Sequence, residues 1–365
     1  MAAGARTGAG PGLYTQAHWL ILGIAALLPI ADLVLPQSLQ VAGLVRPILI
    51  FAVLGMGLNV VTGFTGLLNL GVAAFMAIGV YTYAILTCDI YPFQWGFWGG
   101  LAGAMVSGMV AGLLLGLPTL RLRGDYLAIV TLGFGEMVQD SLKNLDAITK
   151  GTQGINPLPP PTFLGYAASQ EQPLRLYYLL LGILAVVVLL TRNLENSRAG
   201  RTFISIREDE LAAKCMGINP MKAKLLAFVI GACLCSTSGA LWGANLGSSG
   251  EPGNYDFQLS VLALCIVIVG GMGSVGGVLL GSVVMMGFNS IILVKLTAFL
   301  TQRGLIGESV FTSPANWKYL VFGLALILMM RFRPEGLLPS RRVQSELHEI
   351  DSGLSAKPRV EDAKP

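Results

Sequence analysis

A chain of 365 residues with a mean hydropathy of +0.68, 54% hydrophobic and only 12% charged residues is not a soluble enzyme, because an ordinary globular domain carries about 25% charged residues. The deficit indicates an all-α polytopic membrane protein, and 46 glycines suit helices that pack closely through small residues. The formal net charge of +4 matters through its placement along the chain.

Residues 1–18 form an Ala/Gly-rich tail with one cation, Arg6. No A-x-A-like cleavage site follows the apolar run after it, so that run reads as a retained first span rather than a signal peptide. Stretches long enough to cross a bilayer, roughly 17–25 residues, or to re-enter it, recur about ten times. They lie near 19–35, 45–62, 67–88, 96–118, 126–142, 176–191, 224–246, 257–269, 275–296 and 317–330. The fifth carries Glu136 and Asp140 and the eighth is short, so either fits a re-entrant segment as well as a span.

With the N-terminus in the cytoplasm, 17 of the 24 Lys and Arg fall on the inner side and 7 on the outer. That asymmetry obeys the positive-inside rule and places both termini in the cytoplasm. The predicted organisation is a transmembrane core over 19–340, containing a cytoplasmic loop at 192–223, and a disordered cytoplasmic tail at 341–365 that has charge but no periodicity. The longest outer loop, 143–175, contains KGTQGINPLPPP, a Gly/Pro-rich run expected to be extended or turned rather than helical.

Two glycine turns interrupt the apolar pattern. Gly63-Phe64-Thr65-Gly66 separates the second and third stretches, and Gly270-Gly271-Met272-Gly273 separates the eighth and ninth. Offset by 207 residues, Gly63 aligns with Gly270, Gly66 with Gly273 and Val60 with Val267. Broken apolar segments in two halves point to a translocation site, which makes Asn59, Gly63, Gly66, Asn69, Gly270 and Gly273 candidates for a transport path. Close helix packing and interhelical hydrogen bonds explain the same residues without a path.

Within the loop at 192–223 the signals predict a short helix over 206–216. Ser205 is placed as N-cap with Glu208 at capping-box spacing. Glu208, Asp209 and Glu210 then fill the first turn and Lys214 the last. Gly217 suits a left-handed position after the helix, and Pro220 stops any continuation. Leu211 with Cys215, and Ala212 with Met216, make a small apolar stripe. The element reads either as a solvated loop or as a docking helix for a soluble partner.

No catalytic constellation is present. His18 and His348 flank the apolar core and build no nucleophile set, and the five cysteines, 88, 215, 233, 235 and 265, form no metal-ligand pattern. They read as small buried hydrophobes. A Walker A sequence is absent. Glu136 is the ionisable residue placed deepest; it fits a proton relay or, with Arg121, Arg123 or a backbone amide, a structural carboxylate.

GLN at 57–59 followed by GFTGLLNLGVAAFMAIGVYTYA, then PTLRLRGDYLAIVTLGFGEMVQDSL, resembles the permease subunits of branched-chain amino acid ABC importers, nearest to the M-type (LivM) subunit. SRAGRTFISIREDELAAKCMGINPMKAKLLAFVIGA is similar to that family's coupling loop, and GGMGSVGGVLLG to its late glycine motif. The likeness covers roughly 45–340. KGTQGI stands where many relatives have a Gly-Gly-Pro-Asn-Gly-Ile-like run, and Val72 where they often carry an aromatic residue or histidine.

The resemblance implies a bacterial inner-membrane transport subunit, not an enzyme, with no cofactor or metal of its own. Its partners would be a second, homologous (LivH-type) permease, two cytoplasmic ATPase subunits that bind ATP and magnesium, and a periplasmic binding protein; nucleic acid is not among them. Ser205, Arg207, Glu208, Asp209, Glu210, Leu211, Ala212, Ala213, Met216 and Gly217 would couple the chain to the ATPases. Urea or short amides as cargo, and a secondary transporter working alone, are the competing readings.

Overall fold

The computed structural model describes residues 23, 25, 42–119, 125–163, 166–167, 173–293, 295–297, 317–333 and 336–338. In chain order the main helices are α1 (Ala42–Leu58, continued by a π-helical turn, Asn59–Phe64), α2 (Val72–Thr87), α3 (Phe97–Thr119), α4 (Asp125–Asn144) and α5 (Pro173–Asn196). Two short helices follow, α6 (Arg198–Glu208) and α7 (Glu210–Cys215). Then come α8 (Pro220–Leu246), α9 (Phe257–Gly270), α10 (Val275–Gly287, with a π-helical turn, Phe288–Ile292) and α11 (Lys318–Phe332). The only pairing of extended segments among the described residues is a two-residue ladder, Thr162–Phe163 with Tyr166–Ala167.

Six of these helical runs are long and apolar enough to cross a membrane: Gly43–Phe64, Phe97–Thr119, Leu174–Asn196, Pro220–Leu246, Pro252–Gly270 and Val275–Thr297. Val72–Thr87 and Leu320–Phe332 are apolar but shorter. The predicted fifth stretch is helical as α4 yet falls outside both groups, because it is amphipathic: Glu136 and Asp140 sit on the exposed side. The predicted eighth stretch is longer than it reads, since a 3-10 turn at Pro252–Asn254 extends α9. The predicted first stretch lies outside the described residues apart from Gly23 and Ala25.

The helix α8 packs against α1, α2 and α3, and its sequence explains how. It carries small residues where its neighbours also carry them, so backbones meet directly. A Cβ on Gly239 would lie 2.0 Å from the carbonyl oxygen of Met76, and one on Gly79 would lie 2.0 Å from that of Ser236. Against α1, Gly57 and Gly231 face each other in the same way. Against α3, the hydroxyl of Ser236 donates to the carbonyl of Ala104 at 2.5 Å. Where lipid offers no hydrophobic drive between helices, such close approach and interhelical hydrogen bonding hold the bundle. The described part of the predicted outer loop closes one end of it: Ile155 and Ser249 exchange hydrogen bonds, and the Leu158 amide donates to the Gly247 carbonyl. The KGTQGINPLPPP run itself, 150–161, is turned and extended as expected, with a single 3-10 turn at Gly151–Gln153, while α4 and a further turn at Asp146–Thr149 carry helix into the start of the loop.

Helix boundaries follow local chemistry. α2 begins at Val72 rather than near 67, because Gly66 has a positive φ of 71° and the chain stays non-helical to Gly71. Amides at and just before the start of α2 are met by side chains from elsewhere: Leu70 donates to Thr131 of α4, and Ala73 to Ser260 of α9. Asn69 accepts from the Gly71 amide. Pro220 does not merely end the preceding segment; it occupies the first turn of α8, with Asn219 as N-cap.

Gly239→Val forces a side chain into the Met76 backbone, an overpacking expected to cost about 3 kcal/mol or more. Its detergent-solubilised monodisperse yield should collapse, whereas Gly182→Ala, with nothing within 4 Å of the new Cβ, should purify like the parent in size-exclusion chromatography.

Candidate functional site

The predicted helix over 206–216 is in fact two helices joined by an elbow. The capping expectation fails at Ser205: this residue is inside α6, and its hydroxyl donates to the Arg201 carbonyl four residues back. The true N-cap of α6 is Ser197, whose side chain accepts from the Gly200 amide at 3.1 Å. Glu208 is therefore the last residue of α6 and no capping-box partner. The reason is Asp209, whose φ of −153° and ψ of 109° are extended, so the helix cannot pass through it. Its carboxylate oxygen instead accepts from the amides of Leu211 and Ala212, at 2.8 and 3.0 Å, and starts α7. A carboxylate at a helix N-terminus also suits the dipole.

The two helices have different jobs in packing. α6 is anchored by Phe203 and Ile206, which are fully or nearly buried. α7 is held from behind by buried Ala213, and by Glu210, which receives Lys224 of α8 at 2.7 Å. Gly217, at φ 84°, turns the chain after α7, as predicted, and the Ile218 amide donates to the Ala213 carbonyl. Ala213 thus faces the protein itself. What faces away is led by two large apolar side chains, Leu211 at 72% exposed and Met216 at 82%, with Ala212 and Cys215 and the charged Glu210 and Lys214 beside them. A depression of about 690 Å³ alongside is lined by Glu210, Leu211, Lys214, Gly217, Asn219 and Met221.

Arg207 does not face outward with the others. Its Nη1 donates to the Gly63 carbonyl at 2.6 Å, at the end of the π-helical turn of α1. Its side chain also lies against Gly66 and Gly273. There the two glycine turns meet. The Gly273 amide donates to Oδ1 of Asn59 at 2.9 Å, and a Cβ on Gly63 would be 2.7 Å from the Gly273 nitrogen. Gly270 packs on the backbone of Gly277, and the amides of Leu337 and Leu338 donate to the carbonyls of Val269 and Gly270. Asn59, Gly63, Gly270 and Gly273 are all buried in this junction; Gly66 is exposed beside it, and Asn69 is apart, at the start of α2. Among the described residues, Nδ2 of Asn59 and the hydroxyl of Thr62 are buried without a hydrogen-bond partner.

Glu136 is exposed on α4, on a stripe with Tyr126, Ile129 and Met137. Its predicted partners Arg121 and Arg123 lie outside the described residues. Among the described residues no group of three or more His, Cys, Asp or Glu could hold a metal ion.

The sequence reading missed Arg207 as an inward residue, although a signal was available. Arg207 stands four residues after Phe203, on the buried face of α6, and a cation there needs an acceptor. It also missed Lys224 as the partner of Glu210, a contact across a turn that no helical spacing announces.

Residues 40–330 match the family model for the permease component of branched-chain amino acid transport systems. The chain belongs to that family. It is 37% identical over 320 residues to the high-affinity branched-chain amino acid transport system permease protein LivM of Salmonella typhimurium, covering 82% of this chain and 70% of the relative. With LivM of Escherichia coli it shares 35% over the same lengths. A more distant likeness, 28% over 151 residues (40% of this chain and 36% of the relative), joins it to the xylose transport system permease protein XylH of Haemophilus influenzae. No solved structure matches the chain. The elbow and both glycine turns lie inside the span matched by the family.

The revised capping is directly testable. Asp209→Ala removes the N-cap of α7, at a cost of about 1 kcal/mol, so amide exchange over 210–216 should quicken about fivefold. Ser205→Ala removes only a back-bond within α6 and should leave the exchange of α7 unchanged.

Proposed function

We propose that this permease is the membrane-spanning subunit of an ATP-binding-cassette importer for branched-chain amino acids in the bacterial inner membrane. It works beside a second, homologous permease, two cytoplasmic ATPase subunits and a periplasmic binding protein. The observation that carries the partnership is α7, a capped and braced helix that turns Leu211 and Met216 outward. An apolar tip held by a buried ion-paired lysine is built to enter a groove in another protein. Energy comes from that other protein, since the sequence contains no P-loop lysine. The docking surface is Leu211, Ala212 and Met216; Asp209, Glu210 and Gly217 shape it, and Ala213 braces it.

Support for the second permease comes from α4. An exposed carboxylate beside apolar side chains on one helix face is expensive in lipid, so the face with Glu136 turns to a partner subunit or to an aqueous path between the two. Asn59, Gly63, Gly66, Gly270 and Gly273 hold the inner ends of α1 and α9 at the edge of that path rather than contacting the cargo, and Asn69 holds the start of α2. The full chain makes ten crossings or re-entrant passages, with both termini in the cytoplasm.

Two experiments test the reading. In a cysteine-free background, a single cysteine at exposed Gln153 should react with an impermeant thiol reagent in right-side-out cells, and one at exposed Asn219 should not; the reverse pattern removes the topology. Ala212→Asp should insert normally yet lose the ATPase subunits on purification. An unpaired carboxylate buried at an interface costs several kcal/mol, hence a hundredfold or more in affinity at about 1.4 kcal/mol per tenfold. Normal binding and uptake in that variant would end the docking role of α7.

A further inference from the structure

Three contacts converge on one side chain between the docking helix and the bundle. Arg207 is in the last turn of α6, two residues before the elbow at Asp209. Its Nη1 donates to the Gly63 carbonyl. That carbonyl is near the C-terminal end of the α1 run, where carbonyls lack partners of their own helix and the dipole is negative. The stem of Arg207 fills the room left by the missing side chain of Gly66: a Cβ there would be 3.1 Å from its Cγ. A Cβ on Gly273 would be 3.2 Å from Nη1. A neighbouring bond ties these together, since the Gly273 amide is held by Asn59 of the same α1 turn.

We propose that Arg207 is a positioning residue that transmits displacement of α7 to both glycine turns at once. The apolar contacts of Phe203 and Ile206 hold α6 against the bundle but allow it to slide, because dispersion contacts are not directional. A charge-assisted hydrogen bond to one named carbonyl is directional. It sets the register of α6 on the end of α1, and the Asn59–Gly273 bond extends that register to the turn between α9 and α10. Gly66 and Gly273 have positive φ and no side chain, so the backbone at both turns can approach the arginine closely. Lysine cannot reproduce this, since its point charge lacks the planar fork that donates while the stem packs. The inference rests on the ABC-importer reading and adds to it the path by which movement enters the spans.

The test measures, in the reconstituted full complex, amino acid imported per ATP hydrolysed. Arg207→Gln should still assemble, because the residue is not on the docking surface, and should hydrolyse ATP while the ratio falls about tenfold, within the range usual for coupling between sites. Arg207→Lys should recover part of it. Equal losses of hydrolysis and uptake, with an unchanged ratio, would overturn the proposal and leave Arg207 a structural residue. A second measurement needs no transport: in the purified chain, Arg207→Gln should speed amide exchange at 271–274 about tenfold, as expected on losing a hydrogen bond from a charged donor. Asp209→Ala should speed exchange at the same residues in the parent but not in Arg207→Gln. Exchange at 271–274 that ignores both substitutions also overturns it. If the parent complex shows no ATP-driven uptake of amino acids, the importer reading fails instead, while the exchange result still decides the role of Arg207.

Discussion

Backbone-to-backbone contact along α8 is the constraint from which the rest of the bundle follows. Gly231 and Gly239 meet Gly57 and the Met76 carbonyl without intervening side chains, and Ser236 bonds across to Ala104. Distances this short leave no freedom for helices to slip, because a carbonyl oxygen cannot yield as a side-chain tip can. With α1, α2 and α3 held on α8, the elbow that leads into α8 is presented at a defined place. α7 is fixed to the same helix by Lys224 and Glu210. α7 and the bundle are therefore one mechanical body at α8.

The other route out of the elbow is softer. α6 reaches the end of α1 through Arg207, and α1 there is π-helical, with buried polar groups of Asn59 and Thr62 lacking partners among the described residues. A π-helical turn interrupts the regular hydrogen-bond ladder and is found mostly at functional places. Unpaired buried donors are costly in place and favour rearrangement. A stiff connection through α8 and a yielding one through α1 is an arrangement in which force on α7 deforms the glycine junction before it disturbs the bundle.

The exposed face of α4 has a different logic. Gln139 ties one end of the helix to the carbonyls of Pro252 and Gly253, while Tyr126, Ile129, Glu136 and Met137 are exposed among the described residues. Apolar and acidic residues on one uncovered stripe suit neither plain lipid nor plain water, and a subunit that works with others in a transport system is where such a stripe belongs.

Much was legible in the residues alone, where the signal is local or compositional. Hydropathy marked every long apolar helix, since crossing a bilayer needs a minimum run of apolar residues, and Gly217 revealed its turn because few residues other than glycine adopt a left-handed φ. Local rules failed where two of them competed. Ser205 and Asp209 both satisfy the N-cap preference, and only the burial of Phe203 and Ile206 extends α6 through the serine, leaving the aspartate to cap α7. The α4 sequence likewise has a span's length, yet the uncovered side of its amphipathic helix is visible only once its neighbours are in place. The two glycine turns could be aligned from the sequence, but a spacing of 207 residues carries no information about contact. Folding alone brings Gly273 to Asn59 and Arg207 to Gly63, because a hydrogen bond between distant residues depends on how the helices between them pack, not on any pattern along the chain.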